Sequence, residues 1–350
     1  MQYTQFSNTG AQVSKLCLGT MNFGQQCDEQ NAHEQLDYAI SRGITMIDTA
    51  EVYPIPPDRE KQGSTEVMIG NWIEKRKKRD DFFLASKVSS RGMASFIGRR
   101  DGSAGLTKQN IAVAIDGTLA RLKTDYLDLY QVHFPERRVN NNGVRGVQAL
   151  DGDDGISIEE TLEGLDAVVR SGKVRYIGVS NENSWGIMEY LRVAEQKNFA
   201  RIKSIQNQYS ILNRTFEVGL SEMCMREHIA FLPFSVLNMG VLTGKYLGGA
   251  RPEGARFSLT SRSMPRYNPE HEEGQKAVAQ YVALEQELGL KSGQLPIAFA
   301  ASRAFTTSVI LGATSVVQLK DDIDALEIPF TKDIEDTVAD IYRRMPDPTC

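Results

Sequence analysis

Short apolar segments recur along this 350-residue chain, and each is followed by a longer stretch whose apolar residues fall at helical spacing. That alternation constrains the fold more than any other feature, because it selects parallel strands joined by crossover helices. The strand candidates are residues 16–18, 45–48, 82–87, 126–131, 174–180, 204–207, 230–234 and 308–311. Helical stretches lie between them, among them 32–42, 108–122, 159–170 and 217–227, the second with Ile111, Ile115, Leu119 and Leu122 on one face. Eight strand–helix units fit a (β/α)8 TIM barrel better than a doubly wound sheet, and barrels of this length are commonly a single domain, here 1–350. No GxGxxG and no P-loop sequence occurs, so neither a Rossmann nor a Walker-type nucleotide site is signalled. Ahead of the first unit, 2–6 and 13–15 flank Asn8-Thr9-Gly10 and predict an N-terminal β-hairpin.

Composition narrows the class further. A formal net charge of -5 gives no general attraction to nucleic acid or to an anionic membrane surface. The one basic run, 75–79, falls where a helix should end and is read as complementing its dipole. Cys17, Cys27, Cys224 and Cys350 make no CxxC pair and no metal-ligand spacing, which suits reduced thiols in the cytoplasm. The first ten residues are polar, unlike a signal peptide, and no apolar run is long enough to span a bilayer. No metal is expected, and nothing in the chain sets an oligomeric state.

Three connections exceed the usual loop length: 88–106, 135–156 and 235–269. All follow strands, so in a barrel they stand over the C-terminal mouth, where barrel chemistry takes place. Three consecutive strands also end in titratable groups. MIDTAEVY delivers Asp48 at its strand end and Tyr53 on the loop beyond; FFLASKV ends near Lys87; YLDLYQVH leads into His133. Neighbouring strands lie about 5 Å apart, so these side chains can converge.

Together they form a coherent acid–base set. A free phenol ionises near pH 10, too high for ready proton exchange at neutral pH. A cation within ~4–6 Å lowers that value; Lys87 can supply the charge and Asp48 can keep Lys87 protonated and aimed. Tyr53 and His133 can then flank a carbonyl oxygen, donating to it as negative charge develops. Such a site calls for a hydride donor at the carbon.

MIDTAEVY, LASK and YQVH, in this order and spacing, resemble the aldo-keto reductases, NADPH-using (β/α)8 barrels. The likeness continues through KVRYIGVSN, SIQNQYSILNR, FSVLNMGVLTGKY and ILGATSVVQL, nearly the whole chain, while YPIPPDREKQGSTE and GNW look most like the bacterial Tas branch, near the potassium-channel β-subunit branch. The resemblance implies Tyr53 as general acid/base with Lys87, Asp48 and His133 supporting it. It implies NADP(H) as cofactor: Ser180, Asn181 and Gln206 on the nicotinamide carboxamide and Phe234 against the ring, with Thr20, Met21, Asp48 and Gly240 also among the cofactor-binding residues. Ser235 and Leu237 would line the pyrophosphate path. Lys245 and Arg256 would meet the 2′-phosphate, Arg256 only if one inserted residue is allowed. Gly312, Thr314, Gln318 and Asp321 would close over the adenosine, with Asp322 standing where the family usually has Asn.

The implied activity is NADPH-dependent reduction of small aldehydes or ketones to alcohols. An alternative from another class is a cofactor-binding regulatory partner in which slow reduction only reports redox state. A third reading, a Schiff-base aldolase using Lys87, needs a neutral amine, which a neighbouring carboxylate opposes.

Overall fold

The computed structural model describes residues 1–93, 96–97, 105–140, 154–259 and 268–348. A two-stranded antiparallel hairpin, β1 (Tyr3–Gln5) and β2 (Gln12–Ser14), precedes eight parallel strands. These are β3 (Leu16–Gly19), β4 (Met46–Asp48), β5 (Phe83–Val88), β6 (Leu127–Val132), β7 (Val174–Ser180), β8 (Ser204–Gln206), β9 (Ala230–Phe231) and β10 (Val309–Leu311). β3 to β9 pair in sequence order, and β10 returns beside β3. The ring closes between β9 and β10, where Ile310 N donates to Pro233 O at 2.9 Å and Thr307 N to Phe231 O at 2.9 Å. The expected hairpin and all eight expected strands are therefore present, as a (β/α)8 barrel.

Two expected elements are shorter than the pattern suggested. β9 stops at Phe231 although the apolar run continues to Phe234, because Pro233 has no N–H to give the ladder and contributes only its carbonyl. The stretch 217–227 splits into a 3-10 turn, Thr215–Glu217, and a helix, Leu220–Arg226, since Gly219 between them lies at φ 92°. The basic run 75–79 also divides. Lys75 and Arg76 occupy the last turn of helix Ser64–Arg76, as a dipole argument requires, but Arg79 has left the helix. It pairs with Asp128 Oδ2 at 2.7 Å and stacks over Tyr126 at the N-terminal end of β6.

Strand alternation gives the barrel an interior with two chemistries. Cys17, Met46, Phe83, Ala85, Leu129 and Ala230 point inward low in the barrel, and Phe6 and Val13 of the hairpin plug that end. One or two inward steps further along the same strands come Asp48, Lys87 and Gln131, all buried. The outward residues, including Leu16, Leu18, Ile47, Leu84, Ile177 and Ile205, pack under the helices. Helix starts are set by side-chain caps: Thr107 accepts from Asn110 N, Ser157 from Glu160 N and Asn183 from Gly186 N. Among the described residues no helix is long and apolar enough to cross a membrane. Cys17, Cys27 and Cys224 are buried free thiols; Cys350 lies outside the described residues.

Helix-to-helix spacing in the outer layer depends on Gly70. A Cβ there would lie 2.1 Å from the backbone oxygen of Arg121 and 2.9 Å from the carbonyl carbon of Leu122, at the end of helix Lys108–Leu122. Backbone cannot yield as a flexible side chain does, so Gly70→Ala should lower stability by about 2 kcal/mol through overpacking. Urea denaturation of the variant checks this; an unchanged midpoint would show that the two helices are not held this close.

Candidate active site

Asp48, Lys87 and His133 arrive at the mouth from β4, β5 and the residue following β6, each on the inward face. In the β4–β5 register Ala85 sits beside Asp48, so Lys87, one inward position further on, meets the carboxylate diagonally. Lys87 is fully buried, and its ammonium reaches Asp48 Oδ2 at 2.5 Å, Thr49 O at 2.9 Å and the Tyr53 hydroxyl at 3.3 Å. Three protons thus meet three acceptors. Tyr53 comes from the loop after β4, where its amide turns back on Ala50 O at 3.1 Å and its carbonyl receives Gly63 N at 3.0 Å. The His133 ring stands edge-on to the phenol, with centroids 5.8 Å apart. The four residues expected to converge do converge.

Their electrostatics differ in one respect from the expectation. Burial pushes the Tyr53 phenol above its usual value near 10, and the pull of Lys87 in the other direction does not overcome it. Burial alone would depress Lys87, but Asp48 and Tyr53 outweigh it and hold the ammonium above its ordinary 10.5. Burial, aided by Lys87, keeps His133 well below the usual 6.5, so its imidazole is neutral. The resting site is therefore a protonated phenol beside a charged lysine and an uncharged histidine.

The expected nicotinamide contacts adjoin this set. Gln206 Nε2 donates to Asp48 Oδ1 at 2.9 Å, Ser180 Oγ to Gln206 O at 2.7 Å, and Asn181 Nδ2 to His133 O at 2.9 Å. Thr20 Oγ1 donates to the Asp48 carbonyl at 2.9 Å, and Met21 packs with Tyr53, Val52, Ile55, Met93, Phe96 and Ile97 in an apolar wall over the phenol. Phe234 joins through its amide to Asn207 O at 3.1 Å. Asn181 (φ 55°), Ser235 (φ 57°), Asn238 (φ 47°) and Met239 (φ 57°) all adopt left-handed backbone at this mouth. Non-glycine residues in that region persist where surrounding structure holds them, often at functional sites.

The other expected residues gather farther out, on the loops after β9 and β10. The Lys245 side chain lies along Gly240, whose φ of 89° and missing Cβ leave it room: a Cβ there would be 2.8 Å from Lys245 Cε. Arg256 is held by Asn22 and Gln26, and Asn22 Nδ2 in turn reaches Ala313 O at 3.3 Å, beside Gly312. Leu237 packs near Gly293. Two expected contacts are already engaged within the protein: Gln318 Oε1 accepts from Thr314 N and Oγ1, each at 2.9 Å, and Asp321 pairs with Lys291. Burial and Asp321 push the Asp322 carboxyl up to about 7 although part of its surface is open, with Lys245 pulling it down. Burial and Arg256 lower Lys245, and Asp322 opposes them.

Several contributors were not singled out in the sequence. Gln131 is fully buried and brings Nε2 within 3.4 Å of Asp48 Oδ1; its inward position follows from the period-two spacing Leu129–Gln131–His133. Asn22 and Gln26, which orient Arg256, lie across the chain from it and carry no motif. The Arg137–Glu182 ion pair, stacked against Trp185, ties the exit of β6 to that of β7 and is equally unmarked. Residues 94–95 and 98–104 of the loop 88–106, 141–153 of 135–156 and 260–267 of 235–269 fall outside the described residues.

A closed parallel barrel with this buried tyrosine–lysine–aspartate–histidine set at its mouth defines an oxidoreductase of one family. The chain belongs to the aldo/keto reductase family, whose model matches residues 15–343. It falls in the Tas-like branch: it is 46% identical to Protein tas of Escherichia coli over 334 residues, 95% of each chain. It is also 32% identical to the uncharacterized oxidoreductase YrpG of Bacillus subtilis, over 98% of this chain and 96% of that one. Identity to norsolorinic acid reductase A of Aspergillus parasiticus is 26%, over 93% of this chain and 77% of that one.

Removing the lysine tests the pair that organises the site. Lys87→Met should destabilise the protein by about 3–5 kcal/mol, because Asp48 is left buried without its partner, and adding Asp48→Asn should recover part of the loss. Because its folded pKa is raised, Lys87 contributes stability that is fully present below about pH 10.4 and lost as pH rises through the folded-state value. Denaturation at pH 7 reads the effect; a single variant as stable as wild type would mean that the pair is not formed.

Proposed function

We propose that this protein is an NADPH-dependent carbonyl reductase, acting on small aldehydes or ketones with Tyr53 as proton donor. The observation that carries the reading is the buried Lys87 ammonium, shared between Asp48 and the Tyr53 hydroxyl at the barrel mouth. A reduced nicotinamide, when bound, supplies hydride to the carbonyl carbon. Negative charge then grows on the carbonyl oxygen, and the residues of this chain answer it. Burial keeps the Tyr53 proton in place until a strong acceptor develops, and the Lys87 charge stabilises the phenolate that follows transfer. A neutral His133 can donate a hydrogen bond to the same oxygen without adding a competing charge. The wall of Met21, Val52, Ile55, Met93, Phe96 and Ile97 favours an apolar substituent and keeps water from the phenol.

The donor set suits a pyridine dinucleotide. Ser180, Asn181 and Gln206 surround the region beside Asp48 and His133, where a carboxamide can exchange hydrogen bonds, and Phe234 offers a flat apolar face. Ser235, Leu237 and Gly240 lead toward Lys245 and Arg256, whose charges suit a 2′-phosphate. Gly312, Thr314, Gln318, Asp321 and Asp322 complete the adenosine end. The aldolase reading loses ground, because a lysine held above its ordinary pKa is a poor amine nucleophile. Free buried thiols suit a reducing cytoplasm.

Tyr53→Phe should lower kcat by about 10²–10⁴-fold while leaving NADPH affinity nearly unchanged. Retention of most turnover would mean that the proton comes from elsewhere. Arg256→Ala and raised salt should each weaken NADPH binding in a fluorescence titration. Turnover across aldehydes, ketones and quinones separates a metabolic enzyme from a redox-reporting partner: rates far below about 1–10³ per second would favour the partner.

A further inference from the structure

Past the end of β4 the chain keeps step with β5 as far as Glu51. Thr49 N donates to Ala85 O at 2.9 Å and Glu51 N to Lys87 O at 3.3 Å, the every-second-residue pattern of a parallel ladder. The next rung of such a ladder would run from Ser89 N to the Glu51 carbonyl. That carbonyl accepts instead from Gln62 Nε2, and Ser89 N donates to the Glu51 carboxylate, with Oε1 at 2.6 Å. A side chain thus fills the acceptor place that its own backbone has left, and the ladder ends there.

This exchange lets the backbone turn. By strand alternation from the inward Asp48, residues 49, 51 and 53 would all face the outer layer. Glu51 does so: its charge is felt by Glu66 of helix Ser64–Arg76, which takes Ser86 Oγ at 2.6 Å on the outer side of β5. Tyr53 does not, because its amide folds back on Ala50 O at 3.1 Å, and its hydroxyl comes in to 3.3 Å from Lys87 Nζ. On the opposite edge of β5, His133 N donates to Val88 O at 2.9 Å, so the segment carrying Lys87 is held from both sides. Glu51 is 3% exposed and Ser89 1%. A carboxylate is costlier to bury than an amide or hydroxyl, but its charge-assisted bond to a backbone N–H is shorter and stronger.

We propose that Glu51 is a positioning residue for the proton donor: its carboxylate, bound to Ser89 N, ends the β4–β5 ladder and thereby sets the separation of the Tyr53 hydroxyl from the Lys87 ammonium. This rests on the carbonyl-reductase reading above and adds to it a residue that acts through Tyr53 and Lys87. Reach and charge can be varied one at a time. Glu51→Asp keeps the charge but is one methylene shorter, so its oxygen meets Ser89 N only if the loop bearing Tyr53 shifts. Glu51→Gln keeps the reach and an acceptor oxygen but drops the charge.

The experiment measures kcat for NADPH-dependent reduction of benzaldehyde by the full chain, with NADPH affinity from fluorescence titration and folding from circular dichroism. A misplacement of about 1 Å can cost about 10²-fold in rate, so Glu51→Asp should lower kcat by about 10–10²-fold with NADPH affinity unchanged. Glu51→Gln should retain most of the rate. Added to Tyr53→Phe, Glu51→Asp should cost little further, because residues that act as a unit are not additive. Wild-type kcat in Glu51→Asp overturns the proposal, and so does Glu51→Gln as slow as Glu51→Asp, since charge rather than reach would then matter. A full further loss on the Tyr53→Phe background overturns it as well, placing the effect of Glu51 elsewhere than the phenol. If Tyr53→Phe is nearly inactive while both Glu51 variants run at the wild-type rate, this inference alone fails. If Tyr53→Phe itself keeps its turnover, the reading of Tyr53 as proton donor fails and this inference goes with it.

Discussion

Lys87 and Asp48 form an ion pair that water does not reach, with the lysine fully buried and the aspartate 2% exposed. Isolated charges in such a place lose several kcal/mol of hydration each, and attraction offsets the loss only where geometry is good and remaining hydrogen bonds are met. Both conditions hold. The ammonium is satisfied by Asp48, Thr49 O and Tyr53, while the other carboxylate oxygen takes Gln206 at 2.9 Å and Gln131 at 3.4 Å. Four strands, β4, β5, β6 and β8, and the loop bearing Tyr53 are thereby tied to one point. A change in register on β4 or β5 would leave a buried charge unpaired, and one on β6 or β8 would take a hydrogen bond from the buried carboxylate, so the pair fixes the geometry of the mouth as much as its chemistry.

The barrel tolerates that polar centre because stability is gathered elsewhere. The hairpin residues Phe6 and Val13 seal the low end over Phe83 and Leu129, and the outward faces of the strands bury a continuous apolar layer under the helices. Asp128 performs a comparable task away from the mouth, accepting from Arg79 and Arg175 at 2.7 and 2.8 Å and from Leu84 N at 2.9 Å. Conserving charge balance at both ends leaves the middle of the barrel free to be plain packing. This division matches the general separation in such barrels between a stabilising N-terminal face and a reactive C-terminal face.

What could be read from the sequence follows the range of the forces involved. Alternation and helical periodicity are local, so all eight strands and the hairpin were legible to within a residue or two at most ends. The failures were also local in cause: Pro233 removes a ladder donor, and Gly219 breaks a helix that periodicity alone extends. Three strand ends carrying Asp48, Lys87 and His133 made the candidate site legible, because a parallel barrel brings consecutive strand ends together. Gln131 obeyed the same period and could have been found with it. Asn22 and Gln26 could not, since their partner Arg256 is more than two hundred residues away and the contact depends on how two loops fold over the mouth. Asp322 was visible only as an odd residue; that its neighbours Asp321 and Asp324 are satisfied by Lys291, Lys320 and Arg42 is seen only in the fold.

The phenol shows where a pairwise reading of charges falls short. Proximity to Lys87 suggested a Tyr53 pKa below the ordinary value, and the contact is indeed there at 3.3 Å. Yet the lysine is not an isolated cation, because Asp48 lies against it and opposes its pull on the phenol. Burial then dominates, and the phenol stays protonated. That outcome fits a donor better than a base. A donor must keep its proton until the carbonyl oxygen has taken up charge, and only then does the phenolate need support. At that moment the Lys87 ammonium stands within reach of the new anion, already oriented by Asp48 and Thr49 and needing no rearrangement. Preorganised charge of this kind stabilises the product of proton transfer more than the resting state, so in the proposed reaction burial and the ion pair serve successive stages of one proton transfer.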